Sequence, residues 1–120
     1  MSIYRRSESE EYFFHEGCFI LEMLNTDDDP ALSIARARVE PGKMTKWHAL
    51  KAVAERYVIQ QGRGRVYVGD LEYQVKAGDV VLIQPGVRQK IYNEGAEDLV
   101  FLALCTPRFT PGCYVDLGSE

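Results

Sequence analysis

The sequence predicts an all-β fold of short strands closed into a small barrel or sandwich. Apolar and polar residues alternate with a period of two in short segments that are rich in β-branched and aromatic side chains. Turn residues such as Gly, Pro, Asn and Asp interrupt these segments roughly every 8–12 residues. Helical periodicity does not persist over about 11 residues anywhere in the chain. Together these patterns indicate strands joined by tight turns.

One short N-terminal helix is predicted before the strands. Ser7 followed by Glu10 has the form of a capping box, which predicts a helix over "SESEEYFF". After Gly17, the segment "CFILEML" is predicted to be a strand. It ends at the turn "NTDDDP", because Asn and Asp tolerate unusual dihedral angles and Pro30 stops strand pairing.

The other predicted strands all end at glycine or proline turns. In chain order they are "ALSIARARVE", a segment around "KWHAL", "ERYVIQQ", "RVYV", "LEYQV", "VVLI", "RQKIYN" and "DLVFLALC". The last segment, "TPRFTPGCYVDLGSE" at 106–120, contains two prolines and two glycines. It is predicted to lie irregularly over the barrel or to reach a neighbouring subunit.

Length and composition limit the number of domains and the classes of protein to which the chain can belong. The 120 residues, 46% of them apolar, are expected to form one domain with one core. No apolar run approaches the roughly 20 residues of a membrane span, and "MSIYRRSESEEYFF" is too polar for a signal peptide. A cytoplasmic protein with no membrane partner is therefore expected.

Cysteine spacing and charge exclude further classes. The three cysteines form no C-x-x-C pair, so neither a disulfide framework nor a cysteine zinc site is expected, and Cys105 is interpreted as a core thiol. The net charge is −4 and the basic residues are scattered. Nucleic acid is therefore not an expected partner, because phosphate binding requires concentrated positive charge.

Two motifs resemble those of the cupin superfamily. The first, at 41–62, has Gly42, His48, Glu55 and Gly62 at the spacing of that family's glycine, histidine, glutamate and glycine, with Leu50 in place of a second histidine. The second, at 78–93, runs from Gly78 through Pro85-Gly86 to Asn93. Gln89 stands where the family has a histidine, and Gln84 where it has the first proline.

The resemblance implies a double-stranded β-helix, or jelly-roll barrel, over residues 1–120. Residues 1–17 would then be an N-terminal extension and residues 106–120 a C-terminal tail. Small barrels of this family are often homodimers, so a homodimer is expected. Trp47 lies between two inward-facing positions, so it is predicted to face outward, where an exposed tryptophan suits a subunit interface.

Strand periodicity indicates which side chains share the inside of the barrel. Alternate residues of a strand point to the same face, so His48, Glu55 and Gln89 should converge on one cavity. Tyr57 is interpreted as a wall residue, Lys46 as a residue of the barrel mouth and His15 as a surface residue. The residues predicted to line the pocket with the three convergent ones are Lys46, Leu50, Tyr57, Ile59 and Ile91.

The resemblance implies a divalent metal held by the motif residues, and here the candidate ligands are His48, Glu55 and Gln89. These donors do not discriminate between Zn, Fe, Mn, Ni and Cu. Without a metal, His48 could hydrogen-bond Glu55, and Gln89 could join that network.

Two hypotheses of function follow. One is a metal-dependent enzyme that acts on a small organic molecule. The other is a metal-free pocket that binds a small-molecule ligand, as a sensor or auxiliary protein. A metal-free acid–base enzyme that uses His48 and Glu55 lies between them.

Overall fold

The computed structural model describes residues 2–118, which form eleven strands and two short 3₁₀ turns. The predicted all-β fold is confirmed. The strands are β1 (Tyr12–Phe14), β2 (Cys18–Leu24), β3 (Ser33–Val39), β4 (Trp47–Leu50), β5 (Ala54–Gln61), β6 (Arg63–Val68), β7 (Leu71–Lys76), β8 (Val80–Ile83), β9 (Gln89–Asn93), β10 (Leu99–Thr106) and β11 (Tyr114–Gly118).

The strands form two antiparallel sheets that enclose one main core. One sheet has the order β1-β2-β3-β10-β5-β8 and the other the order β11-β4-β9-β6-β7. Apolar side chains from both sheets meet between them. The most deeply buried members of this core are Val39, Ile59, Val66, Ile83, Ile91 and Leu99. Their burial is the main favourable contribution to folding.

Strand register divides motif one between the two walls of the barrel. In the six-stranded sheet, Glu55 pairs with Cys105 of β10 and with Ile83 of β8. In the five-stranded sheet, His48 pairs with Gln89. Because neighbouring residues on paired strands present their side chains to the same face, the imidazole and the amide share one wall and the carboxyl belongs to the other.

Gly64 is required where β6 passes β9 closely. A Cβ atom at this position would lie 2.6 Å from the carbonyl oxygen of Tyr92 and 2.8 Å from Cδ2 of Leu99. The backbone oxygen is fixed by the β6–β9 ladder, in which Gly64 pairs with Asn93. Glycine therefore allows two strands near the second motif to pack at this distance.

The prediction of an N-terminal helix over "SESEEYFF" is wrong. The capping box at Ser7 and Glu10 forms, but it starts only one 3₁₀ turn, Glu8–Glu10. The chain then extends into β1, which pairs with β2. Glu11 binds the guanidinium groups of Arg36 and Arg38 on β3. Strand pairing and these ion pairs override the local helical preference.

The prediction of an irregular C-terminal segment is also wrong. After a 3₁₀ turn at Pro111–Cys113, β11 pairs with β4 along the strand that carries His48. Asp116 stands opposite His48 and Tyr114 opposite Leu50. The tail therefore supports the motif-one strand within its own barrel.

The three cysteines are free and buried, so the interpretation of Cys105 as a core thiol is confirmed. No helix within residues 2–118 has the length and apolar character that a membrane span requires.

Candidate functional site

A cavity of about 80 Å³ lies inside the barrel between the two sheets. Strand β4 contributes His48 and Leu50 to its wall, and β5 contributes Glu55 and Tyr57. Glu16, from the turn between β1 and β2, also lines it. The cavity therefore brings a residue of the N-terminal segment next to the residues of motif one.

His48 is buried, and its hydrogen bonding fixes its tautomer. Its Nδ1 lies 2.8 Å from the carbonyl oxygen of Lys46, and the side chain is only 3% exposed. Because a carbonyl oxygen can only accept, Nδ1 carries the proton and Nε2 of the neutral ring has a free lone pair. Burial lowers the pKa of His48. Its ring stacks on Tyr114, with centroids 5.4 Å apart.

Glu16 stands beside the free nitrogen of His48. Its Oε1 lies 3.6 Å from Nε2 of His48, and its Oε2 accepts a hydrogen bond from Sγ of Cys18 at 3.5 Å. The backbone N–H of Lys46 donates to the carbonyl oxygen of Glu16 at 2.8 Å, which fixes the turn against β4. Burial raises the pKa of the Glu16 carboxyl to about 7.

Glu55 faces the same cavity with one oxygen that has no partner. Its Oε1 is buried and makes no hydrogen bond with any atom of residues 2–118. Burial raises the pKa of Glu55 to about 7; His48 opposes this shift, and the charge of Glu16 adds to it. An unpartnered buried carboxyl oxygen is costly, so this atom is available to a ligand.

Gln89 is fully buried, and its side chain is close enough to those of His48 and Glu55 to raise the pKa of the first and lower that of the second. Its Oε1 accepts a hydrogen bond from the hydroxyl of Tyr57, whose ring packs on Phe101 at 4.4 Å between centroids. Its Nε2 has no partner within residues 2–118. The amide oxygen that could bind a metal therefore already accepts one hydrogen bond, which uses one of its two lone pairs.

The predicted site residues lie in three different environments. His48, Glu55, Leu50 and Tyr57 line the cavity. Ile59 and Ile91 belong to the closed core instead. Lys46 is half-buried and does not line the cavity; its backbone carbonyl oxygen holds His48. The hydrogen bond expected between His48 and Glu55 is not formed, because Nε2 of His48 faces Glu16 instead.

Trp47 lies on the outer face of β4, but the prediction that it is exposed is wrong. Only 8% of the residue is accessible. The cationic ends of Arg88 and Lys90 cover its ring at 4.3 and 4.6 Å from the centroid, and Tyr67 packs against its edge. His15 is exposed, as predicted.

Comparison with known proteins assigns the family. The model of the cupin domain matches residues 35–105, which include both motifs. The chain belongs to the cupin family. This cupin is also 31% identical, over 101 residues, to an uncharacterized protein of Methanocaldococcus jannaschii; the match covers 82% of this chain and 81% of the relative.

Solved structures share the barrel. A predicted oxalate decarboxylase from Thermotoga maritima matches with a TM-score of 0.79 and 25% identity, over 88% of this chain and 99% of that one. A nucleoside dehydratase from Streptomyces, solved with uridine, matches with a TM-score of 0.80 and 18% identity, over 99% of this chain and 93% of that one. At the latter identity, the likeness shows the fold alone.

Within the described residues, His48, Glu55 and Gln89 form an incomplete donor set for a divalent metal ion. Catalytic metal sites use at least three protein ligands. Within residues 2–118, no group of three or more His, Cys, Asp or Glu side chains is arranged to hold a metal. Leu50 replaces one imidazole, and Tyr57 donates a hydrogen bond to the amide oxygen of Gln89. Metal binding by His48, Glu55 and Gln89 therefore stays a prediction.

Glu16 and Tyr114 are the residues that sequence reasoning missed. Neither lies in a cupin motif, and the segments that carry them were interpreted as an extension and a tail. Glu16 lies in a turn, where a glutamate is ordinarily exposed, so the local pattern gave no signal of its burial. For Tyr114, no signal in the sequence indicated that β11 would pair with β4.

The cavity can support acid–base chemistry. A neutral imidazole with a free nitrogen lies beside carboxyl groups whose pKa values are near 7. General acids and bases work best when their pKa values lie near the working pH. Both an acceptor and a donor of protons are thus present near neutral pH.

Proposed function

We propose that this cupin binds a small organic molecule inside its barrel and transfers protons to and from it without a metal ion. His48 would accept a proton, and Glu16 or Glu55 would donate one. One observation carries the proposal: the free Nε2 of His48 and an unpartnered oxygen of Glu55 line the same buried cavity, with Oε1 of Glu16 at 3.6 Å from the imidazole.

The reaction class that suits these groups is isomerisation or elimination. Nε2 of His48 removes a proton from carbon, and a protonated carboxyl returns one to another carbon or to a leaving hydroxyl, which departs as water. The 3.6 Å separation between Glu16 and His48 gives the imidazolium a short path for returning its proton to a carboxylate. The barrel of a nucleoside dehydratase has a similar fold, which is consistent with elimination.

The wall of the cavity suits a small organic ligand. Leu50, Tyr57 and Phe101 supply apolar surface. A few polar side chains of the lining can orient a bound ligand through hydrogen bonds. Ligand sites in proteins typically combine these two features. Because the carboxyls are buried, water does not solvate their charged forms, and their pKa values stay raised.

A titration and an exchange experiment test the proposal together. In protein carrying ¹³C-labelled glutamate, two carboxyl signals should titrate near pH 7, and Glu16→Gln and Glu55→Gln should each remove one. In D₂O with EDTA, small hydroxy and carbonyl compounds are incubated with the protein, and the exchange of their carbon-bound hydrogens is measured. The exchange should be faster with the parent protein than with His48→Asn. The exposed Glu40→Gln variant is the matched control. Titration of both carboxyls near 4.5, or exchange that requires an added metal, would contradict the proposal.

The metal-dependent hypothesis has its own measurement. Untagged protein is submitted to elemental analysis beside His48→Ala and Glu55→Ala. Near-stoichiometric metal in the parent that falls in both variants would support a metal centre and overturn the metal-free proposal.

The expected homodimer and cytoplasmic location stay predictions. Trp47 no longer supports a dimer interface, since Arg88 and Lys90 already cover it. Sedimentation at micromolar concentration tests the dimer, which a single species of 13.6 kDa would contradict.

A further inference from the structure

A second space, walled mainly by aromatic side chains, adjoins the cavity. This outer chamber, of about 280 Å³, shares Tyr12, Phe14, Glu22, Phe109 and Tyr114 with the inner cavity. The two spaces therefore lie against one another beside these side chains. A molecule larger than the 80 Å³ inner cavity would need both spaces, with its head group inside and its body among these rings.

Acidic side chains outnumber basic ones around the two spaces. Within residues 2–118, three glutamates line them, Glu16, Glu22 and Glu55, and the basic side chains of the lining are His15 and His48, with no Lys or Arg. His48 is uncharged near neutral pH because burial lowers its pKa. Arg108 lies nearby, but it is engaged by Asn25 and Asp27. The positive charge of the exposed Arg6 lowers the pKa of Glu22, against the larger effect of burial, which raises it.

Unsatisfied acceptors lie at the inner end. Glu55 is more than nine-tenths buried, and its Oε1 has no partner. Oε1 of Glu16 lies 3.6 Å from Nε2 of His48. The hydroxyl of Tyr114 lines the cavity close to Glu16 and lowers the pKa of that carboxyl as a hydrogen-bond donor. An ammonium group carries three N–H donors and no acceptor, so it matches this set of oxygens.

We infer that the cavity takes a small organic cation, with an ammonium group held by Glu55 and an aromatic or apolar body among the rings of the outer chamber, while Glu16 stays beside His48 as the proton donor. The inference rests on the proposed function and names the class of its substrate. Aromatic faces attract cations, and desolvated carboxylates favour them further. A carboxylate or phosphate ligand would meet the repulsion of three glutamates.

Three probes of the same shape test the charge requirement. Benzylamine, benzyl alcohol and benzoate are titrated into the full-length protein by calorimetry at pH 8 with EDTA. Benzylammonium should bind at least about tenfold more tightly than benzyl alcohol, and benzoate should not bind. In Glu55→Gln, the affinity for benzylammonium should fall by about tenfold or more, with the affinity for benzyl alcohol unchanged. Glu40→Gln should match the parent.

Each contrary outcome overturns the inference. Benzyl alcohol or benzoate binding as tightly as benzylammonium would remove the charge requirement while leaving a small-molecule pocket. Binding of potassium or magnesium without benzylammonium, or binding of no probe, would also overturn it. Proton transfer is measured separately by the exchange experiment, so failure of the cation inference can be told apart from failure of the proposed function. Because the three probes are compared on the unaltered protein, the test does not depend on Glu55→Gln folding.

Discussion

Oε1 of Glu16 and Nε2 of His48 lie 3.6 Å apart, yet burial disfavours the charged form of both groups. In a glutamate–histidine pair at the surface, each group would favour the charged form of the other. Here desolvation raises the pKa of the acid and lowers that of the base, so the two approach one another. This relationship gives the cavity both a proton donor and a proton acceptor at the same pH.

Glu55→Gln should stabilise the protein at pH values above 7. The pKa of Glu55 rises from 4.5 to about 7 on folding, so the folded state holds more protons than the unfolded state between these values. The free energy of unfolding therefore falls as pH rises through this window, by up to about 3 kcal/mol. The amide removes this loss without removing a hydrogen bond of Oε1.

Urea denaturation at pH 5 and pH 8 measures the effect. The free energy of the parent should fall relative to Glu55→Gln between the two values, and that of Glu40→Gln should follow the parent. The lowered pKa of His48 makes the free energy of unfolding rise with pH below pH 6.5. This contribution is present in all the proteins compared, so it largely cancels when the free energy of the variant is subtracted from that of the parent. Parallel curves for the parent and Glu55→Gln would contradict the assignment.

Tyr57→Phe should destabilise the barrel through Gln89. The variant leaves Oε1 of Gln89 buried without its hydroxyl donor, at a cost of about 1–3 kcal/mol. Replacing both partners, in Tyr57→Phe with Gln89→Met, should recover much of this loss because no orphaned acceptor remains. Tyr73→Phe, at a residue 51% exposed, should change stability by no more than about 0.5 kcal/mol. Urea denaturation measures the free energy of unfolding of each variant. An equal loss in the single and double variants would show that the unpartnered oxygen of Gln89 is not the cause.

Gly64→Ala should destabilise the contact between β6 and β9. The added methyl group meets the carbonyl oxygen of Tyr92 at 2.6 Å, and a backbone atom in a ladder cannot move aside at low cost. The loss should be about 1–3 kcal/mol. Gly112→Ala is the matched control, because nothing lies within 4 Å of its Cβ position. Thermal melting of the two variants gives the comparison, and equal melting temperatures would count against the proposed clash.

The fluorescence of Trp47 should show that Arg88 and Lys90 shield its ring from solvent. Trp47 is the single tryptophan of the chain, so its emission is unambiguous, and acrylamide should quench it weakly. Arg88→Ala combined with Lys90→Ala should raise acrylamide quenching and lower stability by about 1–2 kcal/mol, since each cation–π contact contributes roughly 0.5–1 kcal/mol. Lys43→Ala, at an exposed position, serves as control. Strong quenching in the parent would show that the ring is open to solvent.

Local sequence chemistry predicted the strands well and the chain ends poorly. "CFILEML" coincides with β2, Cys18–Leu24, because its apolar pattern and the flanking Gly17 and Asn25 agree. The capping box at Ser7 is real, but pairing of β1 with β2 limits the helix to one turn. Glu16 and Tyr114 reach the cavity only through pairings between distant segments, which a local pattern does not encode.

The amino-acid sequence by itself determined the all-β class, the positions of most turns and the placement of His48 and Glu55 inside the barrel, because period-two alternation and glycine turns act over a few residues. Only the tertiary structure decided that Glu16 rather than Glu55 faces Nε2 of His48, that Tyr57 donates a hydrogen bond to the amide oxygen of Gln89, and that Trp47 is covered. These facts depend on strand register and on desolvation, and both arise only when the two sheets close around the cavity.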